Sequence, residues 1–148
     1  MSLKIQIDAD IKTAMLARDQ SKLLALRAIK SMILLEETKG GSNGISSDDE
    51  MKLLMRAVKQ RKESAETYIT SGRQELADKE LLEVSYIDVY LPKQLSEAEL
   101  KETIAAIIAK VGGTSAADMG KVMGVATKEL AGKAEGKAVS MMVKSLLA

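Results

Sequence analysis

Apolar residues recur at steps of three and four along almost the whole chain, which is the period of amphipathic helices. Ile7, Ile11 and Met15 form a first stripe. Leu23, Leu26, Ile29, Met32 and Ile33 form a second, with Asp19 or Ser21 available as its N-cap. That helix runs out at Thr38-Lys39-Gly40-Gly41, and Gly40-Gly41-Ser42-Asn43-Gly44 reads as a flexible loop. Ser47 and Glu50 have capping-box spacing, and Asp48 and Asp49 suit the positive end of a helix dipole. A third helix is therefore predicted over Ser47–Thr70, through Leu54, Val58 and Ile69, with Gly72 as its stop. A fourth covers Arg73 to Val89, with Leu76, Leu81, Val84 and Ile87 among its buried positions.

Pro92, the only proline, biases Leu91 away from helical geometry, and the domain boundary is placed at Leu91-Pro92-Lys93-Gln94. Ser96 and Glu99 form a second capping box and open a helix to Lys110, which Gly112-Gly113 ends. Ser115 or Asp118 caps a further helix to Glu129, and a last one fills Gly136 to Leu146. No alternation long enough for a strand competes. The expected fold class is all-α. A helical N-terminal hairpin or bundle domain (1–92) precedes a small three-helix C-terminal domain (95–148).

Composition sharpens this picture mainly by exclusion. The chain has 148 residues and contains no Cys and no His. Disulfides, thiolate nucleophiles, Cys/His zinc sites and a Ser-His-Asp triad are therefore ruled out. With no Trp, no Phe and three Tyr, the core must be built from Leu, Ile, Val, Met and Ala. The net charge of +1 lacks the global pull of a strongly basic nucleic-acid binder. No run of about 18 apolar residues exists, and Asp8 and Asp10 follow the N-terminus instead of an apolar signal core. A cytoplasmic chain that does not engage a membrane is expected.

The candidate chemistry is sparse. Asp48-Asp49-Glu50, Glu97 and Glu99 lie in first turns of predicted helices, where negative charge is favourable without any catalytic role. Gly132-x-x-x-Gly136-Lys137 lacks one spacer and the hydroxyl residue of a phosphate loop. No catalytic residue, metal ligand or cofactor is assigned. On the third helix Lys52, Arg56 and Lys59 share a face that Arg61 and Lys62 widen, suited to phosphates or an acidic partner. Glu63 and Glu66 make an ordinary solvated face the competing reading. Tyr86 and Tyr90, one turn apart, suit packing better than base stacking.

The C-terminal part is the most informative. Gly120 and Gly124 lie inside a predicted helix, where each costs about 1 kcal/mol relative to Ala. Close approach of a neighbouring helix, or of a ligand, is the expected reason. Between Met119 and Ala148, Lys121, Lys128, Lys133, Lys137 and Lys144 face only Glu129 and Glu135, a balance of +3. The turn from Gly132 to Lys137 could present amides and ammonium groups to a phosphate. The candidate RNA-binding residues are Lys121, Lys128, Gly132, Lys133, Gly136 and Lys137.

Three ordered motifs carry a resemblance. Tyr90-Leu91-Pro92-Lys93-Gln94-Leu95-Ser96-Glu97-Ala98-Glu99-Leu100 resembles the linker signature of YqeY-like proteins of the GatB/YqeY family. Lys59-Gln60-Arg61-Lys62-Glu63-Ser64 resembles that family's third-helix motif. Asp118-Met119-Gly120-Lys121-Val122-Met123-Gly124, continuing to Gly132-Lys133-Ala134-Glu135-Gly136, resembles its C-terminal motif. The C-terminal region is also similar to the tail domain of GatB, a subunit of the tRNA-dependent amidotransferase, which transfers an amide nitrogen from glutamine. The resemblance implies tRNA contact by that region and no catalysis, since amidase and kinase chemistry lie in other domains. Two departures stand out: Glu135-Gly136 replaces the tail's frequent Asn-Pro, and Ser140 a frequent Asn. A stand-alone tRNA-binding-like module is the leading expectation. A helical protein–protein adaptor with no RNA role is the alternative, and tRNA or a protein of the translation or aminoacyl-tRNA machinery is the expected partner.

Overall fold

The computed structural model describes residues 2–40 and 44–148. It contains seven α-helices among the described residues and no strand. They are α1 (Leu3–Leu16), α2 (Gln20–Lys39), α3 (Ser47–Thr70), α4 (Gln74–Asp88), α5 (Glu97–Val111), α6 (Met119–Glu129) and α7 (Gly136–Leu147). A 3-10 turn, Ala116–Asp118, leads into α6. The fold is all-α. Of the expected loop Gly40–Gly44, residues 41–43 lie outside the described residues.

The helices gather into two compact units, Met1–Leu91 and Pro92–Ala148. In the first, α1 packs on α2, and α3 on α4. Leu26, Ile29, Ile33, Leu53, Leu54 and Ile87 fill its core. In the second, Leu100, Ile104 and Ile107 of α5 meet Val122 and Ala126 of α6 and Val139, Val143 and Leu147 of α7. Both cores are aliphatic, with no buried polar or charged residue among those described.

The start of α5 follows its capping box: Ser96 Oγ accepts the Glu99 amide, and the Glu99 carboxylate accepts the Ser96 amide. Gly112, at φ +75°, ends the helix in the left-handed conformation that only glycine adopts without strain. Elsewhere the local expectations need correction. The cap of α3 is Ser46, whose hydroxyl accepts the Asp49 amide, and not Ser47 with Glu50. Met15 is 53% exposed and Ile69 50%. Repeated steps of four overshoot the 3.6-residue turn by about 40° each, so the buried stripe of α1 shifts from Met15 to Ala14. Leu76 and Leu81 are also exposed, and Ala77, with Val84 and Ile87, lines the buried face of α4.

Candidate nucleic-acid interface

The Gly132-Lys133 turn is built by its own backbone and by a segment far away in sequence. Gly132 is buried with φ +76°. The Lys133 amide donates to the Leu130 carbonyl at 2.9 Å, closing the turn after α6. The carbonyls of the turn are then claimed by the start of the same unit. Gln94 Nε2 donates to the Gly132 carbonyl at 2.6 Å and to the Pro92 carbonyl at 2.9 Å. The Leu95 amide donates to the Lys133 carbonyl at 2.9 Å, while the Leu95 side chain packs against the core. Gln94 and Leu95 thus hold the turn at both carbonyls. Sequence reasoning missed this role, although both residues sit in the linker motif.

With its backbone secured, the turn leaves Lys133 exposed, and Lys137 follows on the first turn of α7. Lys137, Met141 and Lys144 then share the outward face of α7 at steps of four and three. Glu135 is the N-cap of α7 but makes no capping hydrogen bond, and its backbone carbonyl receives the Val139 amide. Its carboxylate competes for the positive helix end that an anion would use.

On α6, Lys121 and Lys128 lie outward with Gly120 and Gly124. Here the packing expectation fails. A Cβ placed at Gly120 or at Gly124 meets nothing within 4 Å. No other helix among the described residues comes within contact of those positions, so the two glycines leave bare backbone on an exposed face. The close approach occurs instead at Gly113, whose added Cβ would lie 3.2 Å from Val122 Cγ2 and 3.3 Å from Ile108 Cγ2. Gly136 is likewise open.

Before α6, the Asp118 carboxylate accepts the Thr114 amide at 2.8 Å and the Ser115 amide at 3.2 Å. The Thr114 amide bond chiefly, the Ser115 bond next, and Lys121 more weakly hold its pKa below the usual carboxylate value. Among the described residues, Lys121, Lys128, Lys133, Lys137 and Lys144 form no ion pair, whereas Lys110 reaches Glu129 at 3.6 Å.

The second basic patch divides. Lys52, Arg56, Lys59 and Lys62 are exposed on α3. Arg61 is not part of their surface. It turns toward α4, where its Nε lies 3.4 Å from a Glu83 carboxylate oxygen and both side chains are about 15% exposed. Its Nη1 donates to the Ala57 carbonyl. Steps of two residues rotate the side chain about 200°, so Lys59 and Arg61 face opposite ways. Arg56 meets Glu36 of α2 at 3.9 Å. Among the described residues no group of three acidic side chains is placed to hold a metal ion, and no helix is long and apolar enough to cross a membrane.

Two helical units with aliphatic cores, and no strand among the described residues, define a small all-α protein. The family profile described as "Yqey-like protein" matches residues 4–147, and the chain belongs to that family. Two curated relatives bear the name "Altered inheritance of mitochondria protein 41, mitochondrial". The one from Eremothecium gossypii is 30% identical over 82 residues, covering 55% of this chain and 45% of the relative. The one from Vanderwaltozyma polyspora is 32% identical over 82 residues, covering 55% of this chain and 44% of the relative. The matched region spans under half the length of these relatives.

Proposed function

We propose that the chain is a tRNA-binding-like module, related to the tail of GatB, that performs no catalytic step alone. The observation that carries this reading is the Gly132-Lys133 turn. Gln94 and Leu95 occupy its carbonyls, and Lys133 and Lys137 form no ion pair among the described residues. A turn pre-set in this way lets two ammonium groups meet one phosphate without ordering a loop first. Lys121 and Lys128 on α6, with the open backbone at Gly120 and Gly124, extend the cationic surface. A cytoplasmic location belongs to the same proposal. The two fungal relatives are named as mitochondrial, so fractionation of native cells is the direct check.

The experiment is a salt titration of tRNA binding by the full chain and by two double variants. Lys133→Glu with Lys137→Glu should lower affinity at least about tenfold and make the salt slope shallower, since fewer counterions are released. Lys52→Glu with Lys59→Glu is the control and should bind like the parent. Equal affinity for all three proteins, or a loss confined to the α3 pair, would remove the C-terminal unit as the RNA site. Glutamine-dependent amide transfer by the isolated chain, lost on mutating its own side chains, would overturn the non-catalytic part.

A further inference from the structure

We propose that the outward face of α2, with the cationic edge of α3, docks an amphipathic helix of a partner protein whose polar flank is acidic. Leu24, Ala28, Ser31 and Leu35 recur at i, i+4, i+7 and i+11, which places them in one stripe along α2. Leu24 is 55% and Leu35 58% exposed, and Leu34 beside them is exposed as well. Single exposed leucines are ordinary, but three on one helix, Leu24, Leu34 and Leu35, mark it as a candidate interaction surface. Between the leucines the stripe is shallow. Ala28 is small, and the Ser31 hydroxyl is turned back onto the Arg27 carbonyl at 3.0 Å. The stripe runs about 16 Å, or three helical turns, which suits a partner helix of similar length.

Charge decides what kind of helix fits. The exposed positions of α2 from Leu24 to Lys39 carry Arg27 and Lys39 and no carboxylate. Glu36, next to Leu35, is half-buried and already engaged by Lys39 at 3.5 Å and Arg56 at 3.9 Å. The Arg56 contact brings α3 to the edge of the stripe. Lys52 and Lys59, one turn to either side of Arg56, are exposed and form no ion pair among the described residues. A second copy of this face would set cation against cation. A helix with leucine-like residues at matching spacing and carboxylates along its flank would complement it. RNA would leave the leucines in water. This surface belongs to the first unit and the Gly132 turn to the second, and the proposal does not depend on the RNA reading.

The test uses the full chain and two synthetic helical peptides about 18 residues long, five turns each. Both carry Leu at i, i+4, i+7 and i+11. One has Glu along the flanks and the other has Lys. Fluorescence anisotropy should show the Glu peptide binding at least about tenfold tighter than the Lys peptide. Leu24→Glu with Leu35→Glu should abolish that binding while the helical circular dichroism is kept. Lys52→Glu with Lys59→Glu should reverse the preference between the peptides, a result that lost folding cannot mimic. Equal binding of both peptides, or binding of neither, overturns the proposal. So does retained binding in the leucine variant. A dimer that dissociates on Leu35→Glu would instead assign the face to a second copy. Capture of phosphatidylserine vesicles, lost in the same leucine variant, would assign it to a lipid surface.

Discussion

Gln94 and Gly132 stand 38 positions apart in sequence, yet the Gln94 side-chain amide donates to the Gly132 carbonyl at 2.6 Å. The bond joins the segment that begins the second unit to the turn between its last two helices. The linker motif and the Gly-Lys motif, separate in the sequence, are therefore two halves of one structural feature.

Removing this clamp tests its weight. Gln94 donates to two carbonyls, and each such bond is worth about 1 kcal/mol net. Gln94→Ala should destabilise the second unit by about 1–2 kcal/mol in urea unfolding. Gln94→Glu should be worse, because a carboxylate then faces the carbonyl oxygens. A neutral result for both would mean that the Leu95 amide alone sets the turn.

Gly120 and Gly124 give a prediction with two readouts. Their added Cβ atoms meet nothing, so Gly120→Ala and Gly124→Ala should each stabilise α6 by up to about 1 kcal/mol. A thermal midpoint that rises while tRNA affinity falls would show a ligand approaching that backbone. A lower midpoint would contradict the open face itself.

Tyr90 supplies a pH dependence. Its hydroxyl donates to Asp10, which ties the end of the first unit's α4 region to α1. Burial first, then the hydrogen bond to Asp10 and its charge, raise the tyrosine pKa well above the ordinary 10.0. Above pH 10 the unfolded chain releases this proton and the folded chain keeps it. The unfolded state then binds fewer protons, so stability falls as pH rises. Urea unfolding between about pH 9 and pH 11 should show this decline, and Tyr90→Phe should flatten it. An identical slope in the variant would place the decline on other groups.

The two units also make a prediction about folding. We propose that each is stable by itself. Ile104 is fully buried in the second unit, and Ile104→Ala should cost that core about 2–5 kcal/mol. The first unit should keep its own unfolding transition, and proteolysis near Pro92–Gln94 should rise. One shared transition, lowered throughout by Ile104→Ala, would make the chain a single cooperative domain.

Much of the fold was legible because its determinants are local. Helix period, the Ser96–Glu99 capping box and the Gly112 stop act within a few residues, and all three hold in the structure. The basic residue types and the Gly-Lys turn were also visible as spacing. Facing directions were harder. The step pattern places Met15 on the buried stripe of α1, and an overshoot of about 40° per step of four puts it in water. Arg61, grouped with the α3 lysines by adjacency, is turned about 200° from Lys59 and lies against Glu83.

The sequence by itself determined an all-helical, aliphatic-cored protein without Cys or His chemistry, because composition and short-range backbone preferences need no partner. Only the tertiary structure decided which glycines are crowded and which are open. Gly113 and Gly120 look alike in a string, but one lies against Val122 and the other against nothing. Tertiary structure likewise decided that Gln94 and Leu95 hold the Gly132–Lys133 carbonyls. Such contacts depend on where helices separated by dozens of residues come to rest, and no local period encodes that distance.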